Sequence, residues 1–217
     1  MTKGKSIVDL AAFEAAALEQ SPFPHVIVSN ILHSEAHEAI IRDFPAIDFR
    51  GSMPLSELIY GESFAQLITE LEGTEFRSAI EKKFSINLDG RPVLTTVRGR
   101  TTAKDGRIHT DTKSKLITVL LYFNSGWEAE GGRLRILRNG RDLDDYVTEI
   151  APTLGTCLIF QVTTNCWHGH KPFTGIRRAI QLNYLVDDAA LRQHRSRHGI
   201  TAKWKNFKRR LSHGKFQ

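Results

Sequence analysis

The sequence is poor in cysteine and contains no long hydrophobic run, and each absence excludes a class of protein. Its two cysteines, Cys157 and Cys166, are too few for a disulfide framework or a thiolate zinc site. No apolar run approaches the roughly 18 residues that a membrane-spanning helix needs. Residues 1–20 also lack the continuous apolar segment of a signal peptide. A reducing, cytoplasmic setting is therefore predicted.

Acidic residues are absent after Asp188, so the basicity of the chain is concentrated at its carboxyl end. Nine of the 30 lysines and arginines lie in this tail, which leaves 21 basic against 24 acidic residues elsewhere. A basic groove for nucleic acid is therefore not expected. Apolar residues recur in the tail at helical spacing: Ile200, Trp204, Phe207 and Leu211. This basic amphipathic helix, residues 200–211, would either lie peripherally on an anionic membrane surface or pack against the core.

The rest of the chain divides into regions of one predicted domain, residues 1–217. Residues 1–90 form a helical support region with one short strand after Pro24, and residues 189–217 form the basic helix. The predicted helical segments of the support region are 7–18, 34–44 and 56–84, the last broken near Gly73. Short β-rich runs separated by Gly and Asp fill residues 91–188. This order predicts a mainly β fold with α, a double-stranded β-helix (a cupin-like jelly roll) buttressed by N-terminal helices.

Candidate metal ligands occur in two short motifs of the β-rich region. In R-I-H-T-D, His109 and Asp111 share a face if the segment is extended. His168 lies downstream in N-C-W-H-G-H, where His170 has the same parity and competes with it. Two imidazoles and one carboxylate, with further coordination positions open, suit a non-haem Fe(II) oxygenase.

An arginine pair follows the second motif, in T-G-I-R-R-A-I-Q-L-N-Y. Strand alternation allows only one of Arg177 and Arg178 to face the core. A guanidinium in the core requires an anion, because an unpaired buried charge is very costly. Arg177, nine residues after His168, is the candidate to clamp a carboxylate. The alternative is a solvent-facing arginine pair on an edge strand.

Taken in order, these motifs resemble those of a known family. Residues 92–186 contain H-T-D, L-L-Y-F-N-S-G-W, E-G-G-R-L-R-I-L, W-H-G-H-K-P and G-I-R-R. They are similar to the catalytic core of the prolyl 4-hydroxylase-like 2-oxoglutarate oxygenases, the bacterial members above all. The resemblance implies Fe(II), 2-oxoglutarate and O2, with ascorbate as the expected reductant. It makes His109, Asp111 and His168 the iron ligands, Arg177 the 2-oxoglutarate anchor, and Tyr122 a hydrogen-bond donor to the same carboxylate.

The expected reaction is hydroxylation of a carbohydrate, a lipid-linked group or a small molecule, with release of succinate and CO2. Arg98, Arg100 and Arg135 lie on predicted strands and either meet an anionic substrate or face solvent. Hydroxylation of a protein prolyl residue is the alternative within the same chemistry. Outside it, the alternatives are a non-catalytic jelly-roll module that binds metal or sugar, and a zinc hydrolase, for which no carboxylate base is evident.

Overall fold

Nine β-strands and five α-helices occur in residues 5–196, the part of the chain described by the computed structural model. The helices are α1 (Leu10–Ala15), α2 (His37–Asp43), α3 (Glu62–Leu71), α4 (Thr74–Phe84) and α5 (188–196). The strands are β1 (His25–Val28), β2 (Ser52–Pro54), β3 (Val93–Thr101), β4 (Lys115–Tyr122), β5 (Leu134–Leu137), β6 (Tyr146–Ile150), β7 (Cys157–Gln161), β8 (His168–His170) and β9 (Gly175–Leu185).

The strands form two antiparallel sheets. The larger sheet has the order β1-β7-β4-β9-β3-β2, and the smaller has the order β6-β5-β8. Leu134 and Ile136 of the smaller sheet pack against Tyr122, Phe160 and Ala179 of the larger one in a single buried cluster. Two such sheets packed face to face confirm the predicted jelly roll.

Strand alternation divides the larger sheet into a helix-facing side and an inner side. On β4 and β9 the helix-facing side carries Ile117, Val119, Leu121, Ile180, Leu182 and Tyr184. These side chains pack in one cluster with Phe13 of α1, Phe64 of α3 and Phe76 of α4. The intervening positions of both strands line a pocket between the sheets. The N-terminal helices thus hold the sheet that forms the floor of the pocket.

The helical segment predicted over 56–84 is shorter and in two parts. The first helix of this segment begins only at Glu62, after a 3-10 turn at Leu55–Glu57. Just before the predicted segment, Pro54 restricts Met53 to extended backbone in β2. The break at Gly73 is confirmed: a Cβ there would lie 3.0 Å from the carbonyl oxygen of Thr69.

The first helix is also shorter than the predicted 7–18. Its amino end is capped by Asp9, which accepts a hydrogen bond of 2.9 Å from the backbone N–H of Ala12. At its carboxyl end, Nζ of Lys83 donates to the carbonyl oxygens of Glu14 and Ala16, at 2.7 and 2.8 Å. These bonds satisfy carbonyl groups that a longer helix would have paired internally.

Helix α5 lies at the start of the predicted C-terminal helix, residues 189–217. Asp187 caps its start through a 2.8 Å hydrogen bond from the backbone N–H of Ala190. Ala190 packs with Leu94 and Leu185 at the edge of the larger sheet. The amphipathic segment 200–211 lies outside the described residues. Within residues 5–196, no helix has the length and apolarity needed to cross a bilayer.

Candidate active site

The H-T-D motif lies in an irregular segment between β3 and β4, outside the regular strands. It contacts the smaller sheet through one isolated antiparallel bridge between His109 and His168. Each histidine donates its backbone N–H to the carbonyl oxygen of the other, both at 3.0 Å. The bridge brings the two imidazole centroids to 4.3 Å although the residues are far apart in sequence.

Both imidazoles are held in an orientation that leaves Nε2 free. Nδ1 of His109 lies 2.8 Å from the carbonyl oxygen of Arg107. Nδ1 of His168 lies 2.8 Å from the carbonyl oxygen of Cys166. A ring nitrogen that faces a carbonyl oxygen carries the proton, so the lone pair of each neutral ring is on Nε2. Metal-ligating histidines are commonly oriented in this way.

Asp111 completes a group of three potential ligands. One ligand atom each from His109, Asp111 and His168 lies within 4.8 Å of the others. Burial, and then His109, lower the pKa of His168 to about 4, so its imidazole is neutral at pH 7 and able to bind a metal. Two imidazoles and one carboxylate are the donor set that suits Fe(II), so these residues fit the implied ion.

The carboxylate of Asp111 is held by two neighbours. The Thr118 hydroxyl donates to Oδ2 at 2.5 Å, and Nζ of Lys115 lies 3.0 Å from Oδ1. Burial alone would raise the pKa of Asp111, but Lys115, His168 and Thr118 together hold it below its ordinary value. The group is therefore an anion in a largely buried position.

His170 lies in the same pocket but outside the group of three. Its Nδ1 is 2.8 Å from the carbonyl oxygen of Lys171. Burial, and then the charge of Arg177, lower its pKa to about 4. Between the two histidines, a Cβ on Gly169 would lie 2.9 Å from the carbonyl oxygen of Gly106. The absence of a side chain at 169 therefore lets the H-T-D segment approach β8.

Arg177 is buried in the wall of the same pocket, with 6% of its surface exposed. Its Nε donates to the carbonyl oxygen of Gly132 at 2.8 Å, and one terminal nitrogen lies 3.4 Å from the hydroxyl of Tyr122. Burial raises the pKa of Tyr122, and Arg177 opposes this effect. Among residues 5–196, no carboxylate is paired with this guanidinium. The predicted inward orientation of Arg177 is found, and Arg178 points away, with its guanidinium 5.5 Å from the Phe44 ring centroid.

Of the three other arginines considered, only Arg98 lines the pocket. Its guanidinium lies 3.4 Å from Asp105 and 3.5 Å from the Ser52 hydroxyl. Burial lowers the pKa of Arg98, Asp105 partly offsets this effect, and the charge of Arg177 lowers it further. Arg135 projects from the opposite face of its strand and is paired with acidic residues there.

Several residues in or beside the pocket are not evident from the motifs. Thr118 has the same strand parity as Tyr122 and could have been identified from it. Gln181 has the same parity as Arg177 on β9. Lys115 and Ser52 carry no such signal, because both stand where irregular segments meet the sheet.

Comparisons with known proteins agree with this fold. The family model described as the 2OG-Fe(II) oxygenase superfamily matches residues 99–185, from the end of β3 to the end of β9. A search of curated protein sequences gives no match.

Three solved structures have similar folds. A prolyl-4-hydroxylase of Pseudomonas putida is 16% identical, with a TM-score of 0.54 over 82% of this chain and 96% of that one. A prolyl 4-hydroxylase of Phytophthora capsici is 16% identical, with a TM-score of 0.51 over 74% of this chain and 58% of that one. A truncated viral collagen prolyl hydroxylase of Paramecium Bursaria Chlorella virus-1 is 15% identical, with a TM-score of 0.50 over 86% and 97%.

The family match covers the strands and loops that carry the three candidate ligands and the buried arginine. Residues 99–185 therefore match the 2OG-Fe(II) oxygenase superfamily, an enzyme class that uses Fe(II), 2-oxoglutarate and O2. At identities this low, the likeness to the solved structures is one of fold and does not name a substrate.

Proposed function

We propose that this oxygenase hydroxylates a small polar substrate, with His109, Asp111 and His168 as its iron ligands. Arg177 would anchor the distal carboxylate of 2-oxoglutarate. The observation that carries the proposal is the buried guanidinium, which has no carboxylate partner in the described chain and shares a pocket with the three ligands. An unpaired buried charge is costly, so this position calls for an anionic ligand.

Different residues of the pocket would bind the two ends of 2-oxoglutarate. The Arg177 guanidinium and the Tyr122 hydroxyl offer donors to the distal carboxylate. Leu120, Leu134 and Ala179 provide apolar wall for the methylene groups. The 2-oxo acid end would then face the metal ligands. The bound iron supplies the oxidative chemistry with O2, and the side chains fix geometry and exclude water.

A polar substrate is supported by the remaining wall of the pocket. Ser52, Thr96, Arg98 and Gln181 all line it, and Arg98 contributes a second guanidinium besides the anchor. We propose a carbohydrate, a lipid-linked group or another small molecule, preferably with an anionic group that Arg98 can bind. A cytoplasmic protein with ascorbate as reductant fits this chemistry. A membrane-surface role for residues 200–211 stays a prediction.

The test is succinate formation from 2-oxoglutarate by the purified protein with Fe(II), ascorbate and O2. We expect slow, iron- and oxygen-dependent succinate release without added substrate, and loss of it in His109→Ala. Candidate sugars, small acids and a proline-containing peptide are then added in turn. Stimulation by the peptide alone would favour prolyl hydroxylation. A folded protein that binds neither Mn(II) nor 2-oxoglutarate in calorimetry would overturn the proposal in favour of a non-catalytic module.

An Arg98 variant tests whether Arg98 binds the substrate while Arg177 binds 2-oxoglutarate. Arg98→Gln is expected to leave the KM for 2-oxoglutarate within about threefold in the uncoupled reaction, because Asp105 already faces this side chain. The same variant should lose most stimulation by any anionic substrate. KM values from succinate release test both statements. A rise in the KM for 2-oxoglutarate as large as that of an Arg177 variant would make Arg98 part of the co-substrate site.

A further inference from the structure

The ammonium group of Lys115 lies at the Asp111 carboxylate, to which the metal ion would also bind. Its Nζ lies 3.0 Å from Oδ1 of Asp111, and the exposed fractions of the two side chains are 11% and 7%. The backbone N–H of Lys115 donates to the carbonyl oxygen of Thr112 at 3.0 Å, closing a turn between the two residues. The ammonium is therefore held at Asp111 by a short, ordered segment, in a position where solvent screens charge weakly.

An ammonium group cannot act as a metal ligand, because it has three donors and no lone pair. A divalent ion bound by Asp111 and an ammonium on the same carboxylate repel each other strongly at such short distances. The charge of Lys115 therefore opposes the charge of the metal.

The orientation of Asp111 does not depend on Lys115 alone. The Thr118 hydroxyl donates to Oδ2 at 2.5 Å from the middle of β4, where the backbone is fixed by strands on both sides. Substitution of Lys115 would therefore remove its repulsion of the metal ion. The hydrogen bond from Thr118 would still orient the Asp111 carboxylate. The repulsion between the Lys115 ammonium and the metal ion is larger in energy than the orienting contact of Lys115 with Asp111. The loss of this repulsion therefore determines the net change in metal affinity.

We propose that Lys115 is an internal counter-cation of the metal centre, which pairs with Asp111 in the metal-free protein and weakens its affinity for a divalent ion. The inference rests on the proposed function, because it requires His109, Asp111 and His168 to bind the ion. It assigns Lys115 a positioning role: the metal-free site keeps its carboxylate paired and in place, and the bound ion stays exchangeable.

The test is Mn(II) binding, followed by the loss of the free-ion signal in electron paramagnetic resonance. Lys115→Met, which removes the charge but keeps a similar volume, should tighten the Mn(II) Kd by about tenfold or more. Lys115→Arg keeps the charge and should stay within about threefold of the wild-type Kd. Lys113→Met is the matched control, because it removes the same charge from the same loop at an exposed position, and we expect a change below about twofold.

An equal or weaker Mn(II) Kd in Lys115→Met would overturn the inference and leave the proposed function standing. If the wild type binds no more Mn(II) than His109→Ala does, the ligand assignment fails and the inference fails with it. If Lys115→Met does not fold without metal, it is prepared with Mn(II) and titrated with EDTA. Half-release must then require more chelator than in the wild type, and an equal requirement would also overturn the inference.

Discussion

His168→Ala is expected to abolish divalent-metal binding and to lower iron-dependent succinate formation by at least about a hundredfold, since loss of an outer-shell partner alone costs up to that factor. The variant removes a neutral imidazole from the centre of the ligand group and leaves two ligands. Mn(II) titration and a succinate assay measure the two effects. Circular dichroism checks that the protein still folds, because the backbone bridge to His109 does not involve the side chain.

His170→Ala is the matched control for this prediction. The two histidines share a strand, a face and a nearly equal degree of burial. His170 lies outside the ligand group, so its removal should leave the Mn(II) Kd within about threefold. Metal binding that is lost in His170→Ala and kept in His168→Ala would show that the ligand assignment is wrong.

Arg177→Gln is expected to raise the Kd for 2-oxoglutarate by about a hundredfold, the usual scale for removing one partner of a buried charge pair. Glutamine keeps a polar side chain but loses the charge and the two-pronged geometry. Calorimetry on the Mn(II)-loaded protein without oxygen measures binding apart from turnover. The Mn(II) Kd should remain unchanged, which separates this effect from a damaged metal site.

Arg178→Gln provides the comparison on the same strand. Its side chain leaves the opposite face of β9, and its guanidinium lies over the ring of Phe44. We expect a change in 2-oxoglutarate Kd below about threefold. Equal losses in both variants would mean that general positive charge, and not one buried anchor, binds the co-substrate.

Residue alternation and the family resemblance together made the central part of the site predictable from the sequence. Period two allows only one of Arg177 and Arg178 on the inner face of β9, and the resemblance selects Arg177 there and Tyr122 on β4. The need of a buried guanidinium for an anion then predicts the kind of ligand. The structure contains both residues in one pocket, and their roles toward 2-oxoglutarate stay predictions.

The parts of the site that alternation could not predict lie on irregular backbone. The H-T-D segment reaches β8 by one bridge, and a close approach at Gly169 has no periodic signal. The contact of Lys115 with Asp111 depends on the turn between them, and that of Arg98 with Asp105 on a loop. In the N-terminal region, the helix predicted from residue 56 begins only at Glu62, after a 3-10 turn at Leu55–Glu57 that the sequence pattern does not reveal.

One face of β9 lines the pocket and the other packs in the apolar core, and this limits which sequence changes the strand tolerates. Its odd-numbered positions from Arg177 to Gln181 face the pocket, and Ile180 and Leu182 pack beneath the helices. A one-residue deletion in the turn before β9 that shifted the strand along its neighbours would therefore move Ile180 into the pocket and Gln181 into the apolar core. Point substitutions can vary the site, whereas length changes in that turn would damage binding and folding together.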